Sequence, residues 1–146
     1  MGLKILYIDD DQFMKVFFEG YFEEKYDIKT EGSAEDAWKL FGKGYTPDLL
    51  VLDLGLPGQN GQSFLQEFKQ SKAFAHIPVI VLSGDDKSNT RISLLKLGAE
   101  DYINKPFNPE ELEIKIEKLV GFLEKKMDPR YLEKDTKVSG IYSKEQ

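Results

Sequence analysis

Five short apolar runs alternate along the chain with stretches whose apolar residues recur at helical spacing. Ile5 to Ile8 is the first run, and a stripe of Phe13, Met14, Phe17, Phe18, Tyr21 and Phe22 follows it. Asp27 to Thr30 is weaker and more polar, the pattern of an edge strand. Ser33 then stands where an N-cap belongs, before a helix expected to bury Ala37, Trp38, Leu40 and Phe41. Leu49 to Asp53 is apolar without alternation, which marks a strand covered on both faces. A third helix is expected after Gly61, carried by Phe64, Leu65 and Phe68. Val79 to Ser83 is the fourth strand, before a helix with Ile92, Leu95 and Leu97 that Gly98 closes as a C′ residue. Asp101 to Asn104 is the fifth. Asn108-Pro109-Glu110-Glu111 reads as a cap, an N1 proline and first-turn acids, opening a helix with Leu112, Ile116, Leu119, Val120 and Leu123.

Strands alternating with helices predict an α/β fold, a (βα)5 unit with a parallel five-stranded sheet. Right-handed crossovers make it a three-layer sandwich with helices on both sheet faces. The expected domain covers residues 1–126. Residues 127–146 are polar, contain Pro129 and Gly140, and read as a C-terminal tail or linker.

Composition narrows the function classes. At 40% hydrophobic and 32% charged, the 146-residue chain has the make-up of one folded globular domain. A net charge of -6 argues against direct nucleic-acid binding by this chain. With no cysteine, neither a disulfide framework nor a thiolate zinc site can form. No apolar run approaches the ~20 residues of a membrane helix, and Asp9 to Gln12 interrupts any signal-peptide pattern. A cytoplasmic protein without membrane contact is the expectation.

The chemistry gathers at strand ends. Asp9-Asp10-Asp11 follows the first run, Asp53 ends the third strand, Ser83 the fourth, and Lys105 follows the fifth. Parallel strands deliver their carboxyl ends to one edge of an open sheet, so these groups should meet in one pocket. Two carboxylates 4 Å apart repel by about 4 kcal/mol at an effective dielectric near 20, so a cation is expected between them. Mg²⁺ suits such a site because it takes one or two carboxylates and keeps positions for water and phosphate oxygens. Asp10 is the preferred direct ligand and Asp53 a second, with Asp9 a ligand or the holder of a metal-bound water. Strand alternation would send Asp9 and Asp10 to opposite sides unless the backbone turns there. Asp11 is better placed as an N-cap. Asp53 is a competent nucleophile toward phosphorus, while Lys105 and Ser83 supply charge and a hydroxyl to the phosphoryl oxygens.

Each residue alone has a plainer role: Asp10 and Asp11 as helix-start acids, Ser83-Gly84-Asp85 as a helix cap, Lys105 as a solvated lysine. The combination at four strand ends carries the argument. His76 reads as a surface residue, and Trp38 sits at core spacing.

The set Ile8-Asp9-Asp10, Leu52-Asp53-Leu54-Gly55-Leu56-Pro57-Gly58 with Gly61, Leu82-Ser83-Gly84, and Gly98 through Phe107 resembles the receiver domain of two-component response regulators. The resemblance covers roughly Leu3 to Leu123. It implies a chemotaxis-type, flavodoxin-like fold with strand order 2-1-3-4-5. It further implies that Asp53 accepts phosphate from a sensor histidine kinase or histidine phosphotransfer protein. Asp10, Asp53 and the Gly55 carbonyl would hold Mg²⁺ with support from Asp9. Ser83 and Tyr102 would form a switch pair, and Lys105 would bridge to the phosphate beside a Lys105-Pro106 bond that is usually cis in the family. Gly55 and Asp85 stand two positions past Asp53 and Ser83, where the family tunes phosphate loss. The expected role is a phosphoacceptor signalling domain in a phosphorelay, not an enzyme acting on separate substrates.

Other classes fit less well. An FMN-binding flavodoxin needs a hydroxyl- or glycine-rich loop where this chain has Asp9-Asp10-Asp11, and a haloacid-dehalogenase-like phosphatase needs a second acid where this chain has Gly55. A phosphorylation-independent receiver-like interaction module is the remaining alternative. Phosphorylation is expected to reshape the face of the fourth helix, fifth strand and fifth helix, where Arg91, Glu100, Asp101 and Lys115 mix both charge signs. That face would serve partner binding or a phosphorylation-dependent homodimer.

Overall fold

The computed structural model describes residues 2–55, 60–85 and 87–127. The elements alternate as β1 (Lys4–Ile8), α1 (Gln12–Phe22), β2 (Asp27–Glu31), α2 (Ala34–Gly42), β3 (Leu49–Asp53), α3 (Gly61–Gln70), β4 (Val79–Ser83), α4 (Ser88–Lys96), β5 (Asp101–Asn104) and α5 (Pro109–Met127). The chain divides into two compact units, the first ending at Phe107 and the second beginning at Asn108.

In the first unit all five strands form one parallel sheet in the order β2-β1-β3-β4-β5. β3 and β4 are buried at every position, as their unbroken apolar runs require, whereas β2 is only half-buried at the sheet edge. Alternation sorts the side chains onto two faces. Leu6, Ile8, Leu50, Leu52, Val79, Val81 and Tyr102 share one cluster with Ala37 of α2, Phe64 and Phe68 of α3, and Leu94 of α4. On the opposite face of β1, Tyr7 stacks on Phe18 of α1 with ring centroids 4.3 Å apart. Helices therefore cover both faces, as the three-layer expectation required.

Local signals place the helix ends. Asp11 caps α1, accepting from the N–H groups of Phe13 at 2.9 Å and Met14 at 3.3 Å. Ser33 caps α2 through the N–H of Asp36, and Asn60 caps α3 through that of Ser63. Gly98 closes α4 with φ of 110°, a left-handed conformation that favours glycine.

Two helical faces differ from the sequence pattern. The six-residue stripe of α1 is wider than the arc a helix presents to a sheet: Phe18 and Phe22 are buried, while Phe13 is 77% exposed. In α4 the buried residue is Leu94, not Ile92 or Leu95, which are both exposed. One residue is about 100° of helix, so the inward face centres on Leu94 and on Leu97 at the C-cap.

The second unit holds α5, with Glu110 and Glu111 in its first turn and the Asn108 side chain accepting from the Glu110 N–H at 2.9 Å. Its buried residues, Leu112, Ile116 and Val120, recur every four positions along one side. The tail expected beyond this helix lies outside the described residues.

Candidate functional site

The acidic residues meet where β1 ends, at the last residue of its apolar run. Ile8 is paired with Leu52 of β3, Asp9 continues on the face of Tyr7, and Asp10 lies past the strand and escapes its alternation. The Asp9 N–H still donates to the Glu31 carbonyl at 3.0 Å. One rung beyond Ile8 and Leu52, Asp9 and Asp53 come side by side. Carboxylate oxygens of Asp9, Asp10 and Asp53 all lie within 4.8 Å of one another, with Asp9 and Asp53 buried and Asp10 exposed. Asp11, expected apart from this group, caps α1 instead.

A set of hard oxygen donors with one member open to solvent fits a divalent cation such as Mg²⁺. Bringing three carboxylates so close without one is electrostatically unfavourable. Asp9, Asp10 and Asp53 each offer one carboxylate oxygen to such an ion. Of the neighbouring loop, Gly55 is described and its N–H donates to Asp53 Oδ1 at 3.2 Å. Leu56-Pro57-Gly58 lies outside the described residues.

Lys105 supplies the counter-charge. Its Nζ lies 3.2 Å from Asp53 Oδ1, and its backbone N–H donates to the Ser83 carbonyl at 2.7 Å. The lysine is thus anchored to the end of β4 while its ammonium reaches across to β3. The Lys105-Pro106 peptide is cis, as the resemblance implied. Gly61, at the start of α3, packs so closely beneath β3 that an added Cβ would stand 2.5 Å from Leu54 Cα and 2.9 Å from the Asp53 carbonyl oxygen.

Ser83 and Tyr102 occupy the same sheet face. Tyr102 pairs with Val81 in register, and Ser83 is the next residue of β4 on that side. Ser83 is buried, and its Oγ accepts from the Asp85 N–H at 3.1 Å. Tyr102 is also buried; its hydroxyl has no hydrogen-bond partner among the described residues, and the Arg91 guanidinium lies 5.5 Å from its ring centroid. Asp85 turns its carboxylate toward α4, accepting from the Lys87 N–H at 2.9 Å and the Thr90 hydroxyl at 2.8 Å. These two donors hold its carboxyl below the usual aspartate range. His76 is exposed, as expected.

Electrostatics single out Asp9. Burial pushes its carboxyl above the usual range and the Asp53 charge adds to this, while donors from Tyr7 and Asp11 oppose it. The Tyr7 hydroxyl donates to Asp9 Oδ2, and the Asp11 N–H donates to Oδ1 at 3.0 Å. Burial raises the Tyr7 phenol far above its ordinary value, and the Asp9 bond raises it further. Tyr7 and Thr90 are the site residues the sequence reading missed. For Tyr7 a signal existed: two residues before Asp9 on a strand, it must share its face. Thr90 gave none, since its contact depends on how the β4–α4 loop turns. Glu100, expected among the charges of the α4–β5 face, is engaged by Lys69 Nζ at 3.2 Å and by the Val79 N–H at 2.6 Å.

Comparison with known proteins agrees with this geometry. The family described as response regulator receiver domain matches residues 5–117. The response regulator SaeR of Staphylococcus aureus (strain USA300) is 35% identical over 122 residues, covering 83% of this chain and 52% of its own length. The chain thus spans about half the length of the curated relatives it matches. Among solved structures, the receiver domain of the Francisella response regulator 1452 is 31% identical, with a TM-score of 0.76 over 84% of this chain and 99% of that one. The BeF3-activated N-terminal receiver domain of Klebsiella pneumoniae RstA is 25% identical, with a TM-score of 0.71 over 80% of this chain and 97% of that one. With the acidic cluster, the paired lysine and the 2-1-3-4-5 sheet in place, this chain belongs to the response regulator receiver domains of two-component signalling.

Proposed function

We propose that Asp53 accepts a phosphoryl group from a phosphohistidine on a sensor histidine kinase or histidine phosphotransfer protein, in a Mg²⁺-dependent reaction. The observation that carries this reading is the buried Asp53 carboxylate held by Lys105 at 3.2 Å beside Asp9 and Asp10. A carboxylate oxygen of Asp53 attacks phosphorus, the P–N bond breaks, and its electron pair returns to the imidazole. Bound at Asp10 and Asp53, with the Gly55 carbonyl and Asp9 in support, Mg²⁺ would neutralise the acids and the phosphoryl oxygens. Lys105 and Ser83 then stabilise charge on the transferred group. The Ser83 oxygen already accepts from the Asp85 N–H, so the hydroxyl proton remains available for a phosphoryl oxygen.

The chain acts as a phosphoacceptor that assists its own phosphorylation and dephosphorylation, in the cytoplasm, over a receiver domain of residues 1–126 followed by a tail. Ser83 and Tyr102 form the switch, and their shared sheet face supports this reading. Phosphorylation would repack the α4–β5 region, with α5 as the family resemblance implies, for partner binding or homodimerisation.

Intact mass after incubation with acetyl phosphate tests the reading, with and without Mg²⁺, on wild type and Asp53→Asn. One phosphoryl adduct that requires both Mg²⁺ and Asp53 is expected. A folded protein that takes no adduct under any condition would be a phosphorylation-independent interaction module.

A further inference from the structure

Tyr7 stands on the sheet face that carries Asp9, and its position is over-determined. Its ring is fully buried and stacks on Phe18 at 4.3 Å with an interplanar angle of 14°. Phe18 packs in turn on Phe22 at 4.7 Å. A phenol held this way cannot swing, so its hydroxyl has a fixed place at the end of β1.

That hydroxyl donates to Asp9 Oδ2, while the Asp11 N–H donates to Oδ1. Each oxygen of the carboxylate therefore has its own donor, which fixes both the position and the plane of the group. Asp9 is 1% exposed, so water does not compete for these sites. A phenylalanine would fill the space beside Phe18 equally well and would leave Oδ2 without this donor. The hydroxyl accordingly acts on the acidic cluster and not on the packing.

Fixed carboxylates matter to a small cation with strict octahedral preferences. Partners behind metal-binding side chains typically change metal affinity 10–100-fold when removed. We propose that Tyr7 is a positioning residue, whose hydroxyl orients Asp9 so that the Asp9–Asp10–Asp53 cluster takes a divalent cation. This rests on the reading of the cluster as a Mg²⁺ site.

Calorimetric titration with MgCl2 tests it on four proteins: wild type, Tyr7→Phe, Asp9→Ala and the double variant. Tyr7→Phe is expected to weaken Mg²⁺ binding about tenfold while staying folded in EDTA, though at a lower unfolding temperature because a buried carboxylate oxygen loses its donor. In the Asp9→Ala background the same substitution is expected to change affinity less than about twofold, because the carboxylate it orients is gone. Equal Mg²⁺ affinity of wild type and Tyr7→Phe would overturn the proposal while leaving the metal site intact. So would tighter binding by Tyr7→Phe, or an equal loss in both backgrounds. Wild type that binds no Mg²⁺ would overturn the metal reading as well.

Discussion

Lys105 Nζ lies 3.2 Å from Asp53 Oδ1, although Asp53 ends β3 and Lys105 follows β5, strands that are not neighbours in the sheet. β4 lies between them, and the Ser83 carbonyl at its end anchors the lysine's backbone. The ammonium pairs with Asp53 inside a cluster of three carboxyl groups, whose negative charges repel one another without a metal ion between them.

Removing one of those negative charges should relieve the strain. Asp53→Asn is expected to stabilise the protein in EDTA by about 1 kcal/mol, as like-charge repulsion falls. It should also shrink the stabilisation that Mg²⁺ gives wild type, which by mass action is about 1.4 kcal/mol at tenfold excess over the dissociation constant. Urea unfolding with and without Mg²⁺ reads both effects. A destabilised Asp53→Asn in EDTA would mean that the Lys105 contact outweighs the repulsion.

Phe13 sits two residues past the Asp11 cap and is 77% exposed. A protein donor needs a surface to dock on beside the acidic site, whereas acetyl phosphate needs none. Phe13→Ala is expected to slow transfer from a phosphohistidine protein about tenfold or more and to leave acetyl phosphate uptake unchanged. Because the ring is exposed, stability should move by less than about 0.5 kcal/mol. Parallel phosphotransfer and acetyl phosphate time courses check this, and an equal slowing of both would refute the docking role.

Asp85 has its carboxyl held below the ordinary value of 3.8 by the Lys87 N–H and the Thr90 hydroxyl. Its contribution to stability is therefore present above about pH 4 and is lost as pH falls through the depressed folded-state value. Thr90→Val removes one donor and should raise the Asp85 midpoint toward the ordinary value in a carbon-detected NMR titration. An unchanged midpoint would show that the Lys87 N–H alone sets it.

Gly61 touches the backbone of the strand that carries Asp53. Gly61→Ala would force its Cβ to within 2.5 Å of Leu54 Cα unless β3 or α3 moves. Neither neighbour is a flexible side-chain end, so the cost should be about 1–3 kcal/mol. Acetyl phosphate uptake should slow as well, because Asp53 shifts with its strand. Chemical denaturation and the mass assay report the two effects, and a variant of wild-type stability would show that the contact relaxes freely.

Much of this was legible in the chain. Ser33 and Asp11 announced helix starts by residue type alone, Gly98 announced a helix end, and the unbroken apolar runs of β3 and β4 declared a sheet covered on both faces. These signals are local, and local backbone chemistry answers to them whatever the rest of the chain does. Asp53, Ser83 and Lys105 were legible because parallel strands send their carboxyl ends to a common edge.

What sequence left open depended on distances between segments far apart in the chain. Helical spacing could not say which arc of α1 or α4 faces the sheet, since Phe13, Ile92 and Leu95 fit an apolar stripe as well as Phe18 and Leu94 do. Asp9 and Asp10 could share a pocket only if the backbone turned past Ile8, and only the structure shows their carboxylates together. Thr90 became a partner of Asp85 only through the turn between β4 and α4. The chain by itself determined which elements form and which chemistry stands at their ends, because propensity, capping and periodicity act over a few residues. Only the tertiary structure decided which helical arcs turn inward and which side chains touch, because those follow from packing the whole sheet at once.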